Sequence, residues 1–409
     1  MSEVAQVPQL RFPEFSGEWE EKILKDLTKI NQGLQIPIAD RFTEKVENSY
    51  FYITNEFLKE NSSNKYFIQN PSESVLCTEK DVLMTRTGNT GQVVTNVNGA
   101  FHNNFFKIKY SDDLNKDFLV EFLRLRATQN MIFRYAGTST IPDLNHGDFY
   151  RLKLKLPSKP EQQKIATFLI AVDNKIEQLS KKQALLGEYK KGLMQQIFSQ
   201  AIRFKADDGS DFPDWEEVKL GNIGEFKTSS VDKKIVEGQK LIQLVNYMNV
   251  YKHENIKNNS TKDLMIVSAN ETQLNASDLK KGDILFTPSS ETPDDIGHSV
   301  VIFEDLMDTL YSYHLMRFRP KVQLDILYSH YFCNIPDVLR QISRVATGST
   351  RFTISVGEFS KIQINLPSLL EQTKIANFLS AIDNKIEKVG KQLVESKQFK
   401  KALLQQMFV

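Results

Sequence analysis

The segment EQQKIATFLIAVDNKIE at 161–177 returns as EQTKIANFLSAIDNKIE at 371–387, with 13 of 17 residues identical. The repetition extends further: YKKGLMQQIFS at 189–199 recurs as FKKALLQQMFV at 399–409, again 210 residues later. A second pair, LRFPEFSGEWEEKILKDL at 10–27 and IRFKADDGSDFPDWEEVKLGNI at 202–223, matches Trp19 with Trp215 at an offset of 196. Two offsets mean that the interiors differ in length. The period is far beyond the roughly 20–50 residues of a solenoid unit, so the chain is a duplicated domain. Each copy consists of a Trp-Glu-Glu lead-in, a variable stretch of about 130–145 residues and a helical segment of about 40. The second copy stops where the first continues into the next lead-in. The halves therefore form a cycle cut open at the termini, and pseudo-twofold symmetry is expected.

Ser158 and Ser368 each follow Leu-Pro and precede Glu161 and Glu371 by three residues. This is the S-x-x-E pattern of a helix N-terminus. Apolar residues then recur at alternating steps of three and four, from Ile165 through Leu169, Val172, Ile176 and Leu179 to Ile197, and from Ile375 through Leu379, Ile382 and Ile386 to Met407. A seam of that length predicts a coiled coil. About 40 residues at 1.5 Å each make a rod of roughly 60 Å. Gln183 and Lys190 fall on one seam, Ser396 and Lys400 on the other, and polar seam residues fix register at a cost in stability. A pseudo-twofold axis across the rods would pair them antiparallel.

Residues 28–156 and 224–366 mix short β-rich runs with Gly and Asn turns. The fold class expected is α+β: two globular domains joined by two long helices in an antiparallel coiled coil. The segments expected are 1–157 (lead-in and first variable domain), 158–200 (first helix), 201–367 (second lead-in and domain) and 368–409 (second helix). Asp81-Val-Leu and Asp283-Ile-Leu open equivalent strands, yet the loops that follow differ. The first offers Arg86, Thr87, Asn89 and Thr90; the second offers Thr287, Ser289 and Ser290. Downstream, FRYAGTST (133–140) matches SRVATGST (343–350), aligning Arg134 with Arg344 and Thr140 with Thr350. Hydroxyl, backbone N–H and guanidinium groups all donate to phosphate oxygens and base edges, so such loops suit nucleic acid, although the same residues also build ordinary turns. Net charge gives no help: +1 for the chain, and 16 Lys and Arg against 14 Asp and Glu over 28–156. Polyanion binding would have to rest on local arrangement.

Together these features resemble the specificity subunit (HsdS) of type I restriction-modification systems. The match spans essentially the whole chain, through the two LP…EQxKIAxFLxAxDNKIE helices and the two Trp-Glu-Glu lead-ins in circular order. The resemblance implies two target recognition domains, each reading half of a bipartite DNA site, held apart by helices acting as a ruler. It implies double-stranded DNA, two modification subunits and restriction subunits as partners, with S-adenosylmethionine, ATP and Mg²⁺ in those partners and no cofactor on this chain. TRTGNTG and GTST look like loops of the first recognition domain, bringing in Thr138 and Ser139 beside Thr140, with Asn103 as a further contact. TPSSETP, the region of His314, and TGSTRF with Ser349, Thr350 and Arg351 look like those of the second. The second loop lacks the Arg-x-Gly of the first, which fits halves that read different sequences. Phe168 and Phe378 lie beside the seams as candidate contacts for the modification subunits, or as core residues.

The chain carries no Gly-rich S-adenosylmethionine loop, no Asn-Pro-Pro-Tyr/Phe and no GxxxxGK[ST]. No catalysis is expected of it alone. PDWEEVK (213–219) superficially resembles a metal-dependent nuclease motif built on Asp214 and Glu217, but its Trp-Glu-Glu belongs to the repeated scaffold. Cys77 and Cys333 stand alone and read as unpaired thiols of a reducing compartment, the histidines are scattered, and no metal site is expected. No run is long and apolar enough for a membrane span and no leader is evident, so the cytoplasm is the expected location. A coiled-coil adaptor joining two protein ligands without DNA is the alternative; it would carry acidic or apolar tips on the variable domains.

Overall fold

A computed structural model describes residues 7–59, 65–137, 140–254, 256–257 and 261–409. The chain divides into two compact units, one of residues 1–180 and 391–409, the other of residues 181–390. The cuts at 180/181 and 390/391 pass through the two long helices, Lys159–Phe198 and Leu369–Met407. Each helix thus serves both units.

In the first unit, the lead-in strand Glu20–Ile23 pairs antiparallel with Lys153–Leu156, aligning Glu20 with Leu156. A four-stranded antiparallel sheet follows, in the order Thr28–Gln32, Phe105–Tyr110, Val82–Thr85, Val93–Val94. Val82–Thr85 is central and wholly buried, which is why it reads as a continuous apolar run instead of an alternating one. A second sheet runs Phe67–Gln69, Ser49–Ile53, Gly99–Phe101, Leu76–Cys77, with Ser49–Ile53 and Gly99–Phe101 parallel. Helices Lys116–Arg124 and Arg126–Ala136 close the domain. Its main core holds Trp19, Phe106, Phe118, Ile132 and Phe149 together with Ile165, Ala166, Leu169, Leu403 and Met407. The two helix segments of this unit run antiparallel. Asp173 meets Lys400, while Glu161 binds Arg11, whose neighbour Leu10 donates its backbone N–H to the Gln406 carbonyl.

The second unit repeats the plan. Glu216–Lys219 pairs with Gln363–Leu366 in the same register, Glu216 opposite Leu366. The antiparallel sheet is Gly224–Thr228, Met316–Pro320, Ile284–Phe286, Ser299–Val301, and the three-stranded sheet is Met265–Ala269, Lys240–Val245, Thr309–Tyr311, again with one parallel pair. Helices Ile326–Phe332 and Pro336–Val345 match the closing helices of the first unit. Ile375, Ala376 and Leu379 share a core with Ile197, and Lys190 reaches Asp383 at 2.6 Å. Here too the helix segments are antiparallel.

The glutamates of the S-x-x-E motifs hold the lead-in segments. Glu161 is 1% exposed and accepts bonds from Arg11 at 2.7 and 2.8 Å and from the Trp19 indole at 3.3 Å. Glu371, 0% exposed, accepts from Arg203 at 3.2 and 2.8 Å and from the Trp215 indole at 2.9 Å. Ser368 Oγ still accepts the Glu371 N–H at 3.4 Å, but the carboxylates turn away to hold the lead-in segment. The next residue completes the joint. Gln162 and Gln372 each accept a backbone N–H at the start of the domain helix, from Asn115 and Asp325. Every charge buried here is paired, as burial demands.

Candidate nucleic-acid interface

The loop after Val82–Thr85 is built on two glycines in the left-handed region, Gly88 and Gly91, both at φ 87°. The Gly91 N–H closes it onto the Thr85 carbonyl at 2.8 Å. Arg86, at its base, makes a bidentate pair with Asp143 at 2.9 and 2.7 Å, and Thr87 Oγ1 donates to the same carboxylate at 2.5 Å. The Arg86 bonds and those from Thr87 hold the Asp143 carboxyl below its ordinary range. The third Arg86 nitrogen reaches Gln32 Oε1 at 3.3 Å, and His146 Nε2 lies 2.7 Å from the same oxygen. Burial, then the Arg86 charge, pushes the His146 pKa down.

Thr90 is 4% exposed, and its hydroxyl donates to the carbonyls of Arg86 and Pro142. It ties the loop to 140–145 and stands away from solvent. Asn89, Arg134 and Thr140 are exposed. Thr138 and Ser139 lie outside the described residues. Asn103 is half-buried and donates to Gln35 Oε1 at 3.1 Å. Phe133, 50% exposed, lines a hollow with Gly88–Val93, Arg124 and Gln129; the periodicity of its helix gave no sign of it.

In the second unit Thr287, Ser289 and Ser290 are 0%, 8% and 6% exposed. Ser289 and Ser290 form a two-residue strand with Phe352–Thr353, aligned Ser289 to Thr353. The first unit has the same junction as an isolated bridge between Thr87 and Asp143. The arginine has changed sides: Arg351, on the facing segment, donates to Ser289 Oγ at 3.2 Å. Each unit thus keeps a guanidinium at this joint, from opposite strands. Arg344, Ser349 and Thr350 are exposed, and His314 is half-buried with its ring 3.9 Å from that of Tyr313. Burial, with Lys233 and Arg351 as neighbouring charges, lowers the His314 pKa.

Two histidines far apart in the chain meet unexpectedly: His298 Nδ1 lies 3.2 Å from His253 Nε2, and its Nε2 is 2.9 Å from Asp295. No group of three His, Cys, Asp or Glu side chains is placed to hold a metal among the described residues. Glu216 and Glu217 are consecutive in a strand and so point to opposite faces; Glu217 accepts from Gln363 at 2.9 Å and Asp214 pairs with Arg203. They do not converge as a nuclease would require. Phe168 and Phe378, the seam-side candidates, are half-buried and meet the lead-in phenylalanines edge-on, Phe12 at 5.7 Å and Phe204 at 5.4 Å.

A repeated scaffold of buried joints carrying two unlike sets of polar, arginine-bearing loops is the architecture of a two-headed reader of nucleic acid. The chain belongs to the type I restriction modification DNA specificity domain family, whose profile matches residues 16–186 and 213–396. It is similar to the type I restriction enzyme MjaVIII specificity subunit of Methanocaldococcus jannaschii, 25% identical over 408 residues, covering 97% of this chain and 92% of the relative. A putative MjaX specificity subunit of the same organism is 26% identical over 295 residues, 68% of this chain and 63% of that one. The fold is shared with the S subunit of a type I restriction-modification system from M. genitalium (TM-score 0.60, 16% identity, 98% of this chain and 99% of that one). It is shared as well with the HsdS subunit from Thermoanaerobacter tengcongensis (TM-score 0.51, 16% identity, 95% and 96%).

Proposed function

We infer that this chain is the DNA-specificity subunit of a type I restriction-modification complex. Each unit reads one half of a two-part asymmetric site, the repeated helices set the gap, and the chain performs no chemistry itself. The observation that carries this reading is the contrast between joint and loop. The Glu–Arg–Trp joint, the strand register and the glutamine bond to the domain helix occur twice, whereas the Arg86–Asp143 clasp is replaced by Arg351–Ser289. Duplicated supports with unlike tips suit one architecture reading two sequences. The residues that would reach DNA are the accessible ones: Asn89, Asn103, Arg134 and Thr140 with Arg86 and Thr87 in the first unit, and His314, Arg344, Ser349, Thr350 and Arg351 in the second. Arg86 is engaged by Asp143, so it contributes to DNA binding by holding the loop or by exchanging a carboxylate for a phosphate.

The partners of this reading are double-stranded DNA, two modification subunits that carry S-adenosylmethionine, and restriction subunits that use ATP and Mg²⁺. The setting is the cytoplasm; no helix of the described residues is long and apolar enough to cross a membrane. Phe168 and Phe378 already pack on the lead-in segments, so their part toward modification subunits is to shape that surface. The test is genome-wide adenine methylation in cells expressing this chain with its modification subunit. One new asymmetric two-part motif is the expected result. No new motif, with the modification subunit active beside another specificity chain, overturns the reading in favour of a protein adaptor.

A further inference from the structure

The two units carry unlike chemistry at one matching position outside the Gly-rich loops. In the first unit the parallel strand Gly99–Phe101 runs into a turn where the Asn103 N–H donates to the Leu34 carbonyl at 3.0 Å. In the second, Thr309–Tyr311 runs into a turn where the Tyr313 N–H donates to the Val231 carbonyl at 3.1 Å. Isolated parallel bridges, Leu34 with His102 and Val231 with Ser312, confirm that the positions correspond. Asn103 and Tyr313 therefore occupy the same place. Tyr313 is 47% exposed and its ring lies against His314. On the first unit the place is filled by amides instead: Asn103 Nδ2 donates to Gln35 Oε1, and Gln32 Nε2 donates to the Asn103 carbonyl at 2.6 Å. Gln32 in turn touches Arg86, which joins this turn to the loop already assigned to DNA.

Gln35 is exposed, and Asn103 holds it through one lone pair of its carbonyl oxygen. The second lone pair and both hydrogens of its amide nitrogen remain for a ligand. A fixed planar acceptor beside a donor is the complement of adenine N6 and N7 in the major groove. Asn103 Oδ1 is buried and has no partner. That oxygen is enclosed, so the amide face offered to a ligand is the one on exposed Gln35.

We propose that Gln35, oriented by Asn103, is a specificity-determining residue of the first unit and reads an adenine of its half-site, and that Tyr313, which stands in the second unit where Asn103 stands in the first, belongs to the matching reading surface for the other half-site. This rests on the DNA-specificity reading above. The test is methylation mapping with the whole complex carrying Gln35→Ala, Gln35→Glu or, separately, Tyr313→Ala. Gln35→Ala weakens methylation of the parent motif by roughly 5- to 150-fold, the discrimination of one bidentate base contact. Gln35→Glu, which only accepts, moves the preference at one position of the first half from adenine toward cytosine. In both, the second half and the gap stay as they are. Tyr313→Ala alters the second half alone. Parent-like methylation by both Gln35 variants overturns this proposal and leaves the specificity reading standing; changes in both halves at once also overturn it. A parent chain that directs no motif at all defeats the specificity reading itself.

Discussion

The seam lysines are predicted to have unequal effects. Lys400 lies 2.6 Å from Asp173 Oδ2 and 3.2 Å from Glu121 Oε2, with side-chain exposures of 17%, 39% and 5%. Lys190, its counterpart, lies 2.6 Å from Asp383 and over the Tyr331 ring at 5.0 Å. Tyr331 stands where Glu121 does, 210 positions on, and its hydroxyl donates to Asp383 at 2.7 Å. Lys400→Met strands a buried carboxylate whose remaining ion-pair contact, Arg124, is 3.7 Å away and largely exposed. Removing one partner of a buried pair costs about 3–5 kcal/mol, and Arg124 places this case near 3. Lys190→Met leaves Asp383 36% exposed and still bonded to Tyr331, so a partly exposed pair and a cation–π contact cost about 1 kcal/mol together. Trp19 and Trp215 lie in different units, so a Phe at either one leaves tryptophan fluorescence reporting on the other. With a urea slope of about 2 kcal/mol/M, Lys400→Met lowers the first unit's midpoint by about 1.5 M. Lys190→Met lowers the second unit's by about 0.5 M. Adding Glu121→Gln to Lys400→Met recovers much of the loss, because it removes the stranded charge. Equal shifts for the two lysines, or no recovery, refute the reasoning.

Three further outcomes follow from the geometry. Asp143 has a folded-state pKa below its ordinary value, so the Arg86 clasp contributes fully above about pH 4 and its contribution is lost as pH falls through the lower folded value. Asp143→Asn therefore reduces the acid-induced drop in the first unit's urea midpoint, and an unchanged drop contradicts the clasp. Inserting four residues into each long helix adds about 6 Å, near two base pairs at roughly 3.4 Å each; the methylated motif then shows a gap longer by that amount, and an unchanged gap removes the ruler. Cys77 and Cys333 are 4% and 1% exposed, and burial pushes the Cys77 thiol up to about 11 and the Cys333 thiol higher still. Both react with thiol reagents only as their units unfold, so labelling rates rise at the same urea concentrations as the fluorescence transitions.

The helices were legible because their signal is local and redundant: a serine, a glutamate three residues on, and a seam of threes and fours. Lys190 and Lys400 could be placed on those seams from spacing alone. Their partners could not all be named, since Glu121 and Tyr331 arrive from domain helices whose packing spacing does not encode. The loops show the limit of composition more sharply. Thr90, Thr287, Ser289 and Ser290 have the residue types of a DNA-contacting loop, yet they are buried. Thr90 gives its hydroxyl to the Pro142 carbonyl and the serines pair their backbone with Phe352–Thr353, segments some 50–65 residues away, while Thr287 is enclosed with its hydroxyl unpaired among the described residues and its backbone bonded to Gly297 and His298. The second loop lacks the arginine of the first, and composition does not show that the guanidinium at this joint comes from the facing strand, at Arg351. The pairing of His253 with His298 was hidden for the same reason.

The first unit is assembled from both ends of the chain, whereas the second is a single uninterrupted stretch. A growing polypeptide therefore meets them in reverse order. Residues 181–390 can fold as soon as they emerge, while the first domain waits for Leu403 and Met407 to fill its core and for Gln406 to bond Leu10. That last strip of helix arrives about 210 residues after residue 180, a delay of roughly 10–40 s at translation rates of 5–20 residues per second. Until then the first domain exposes the apolar face of its own helix segment, and a message cut short before codon 391 leaves the second reader folded beside an unfinished first.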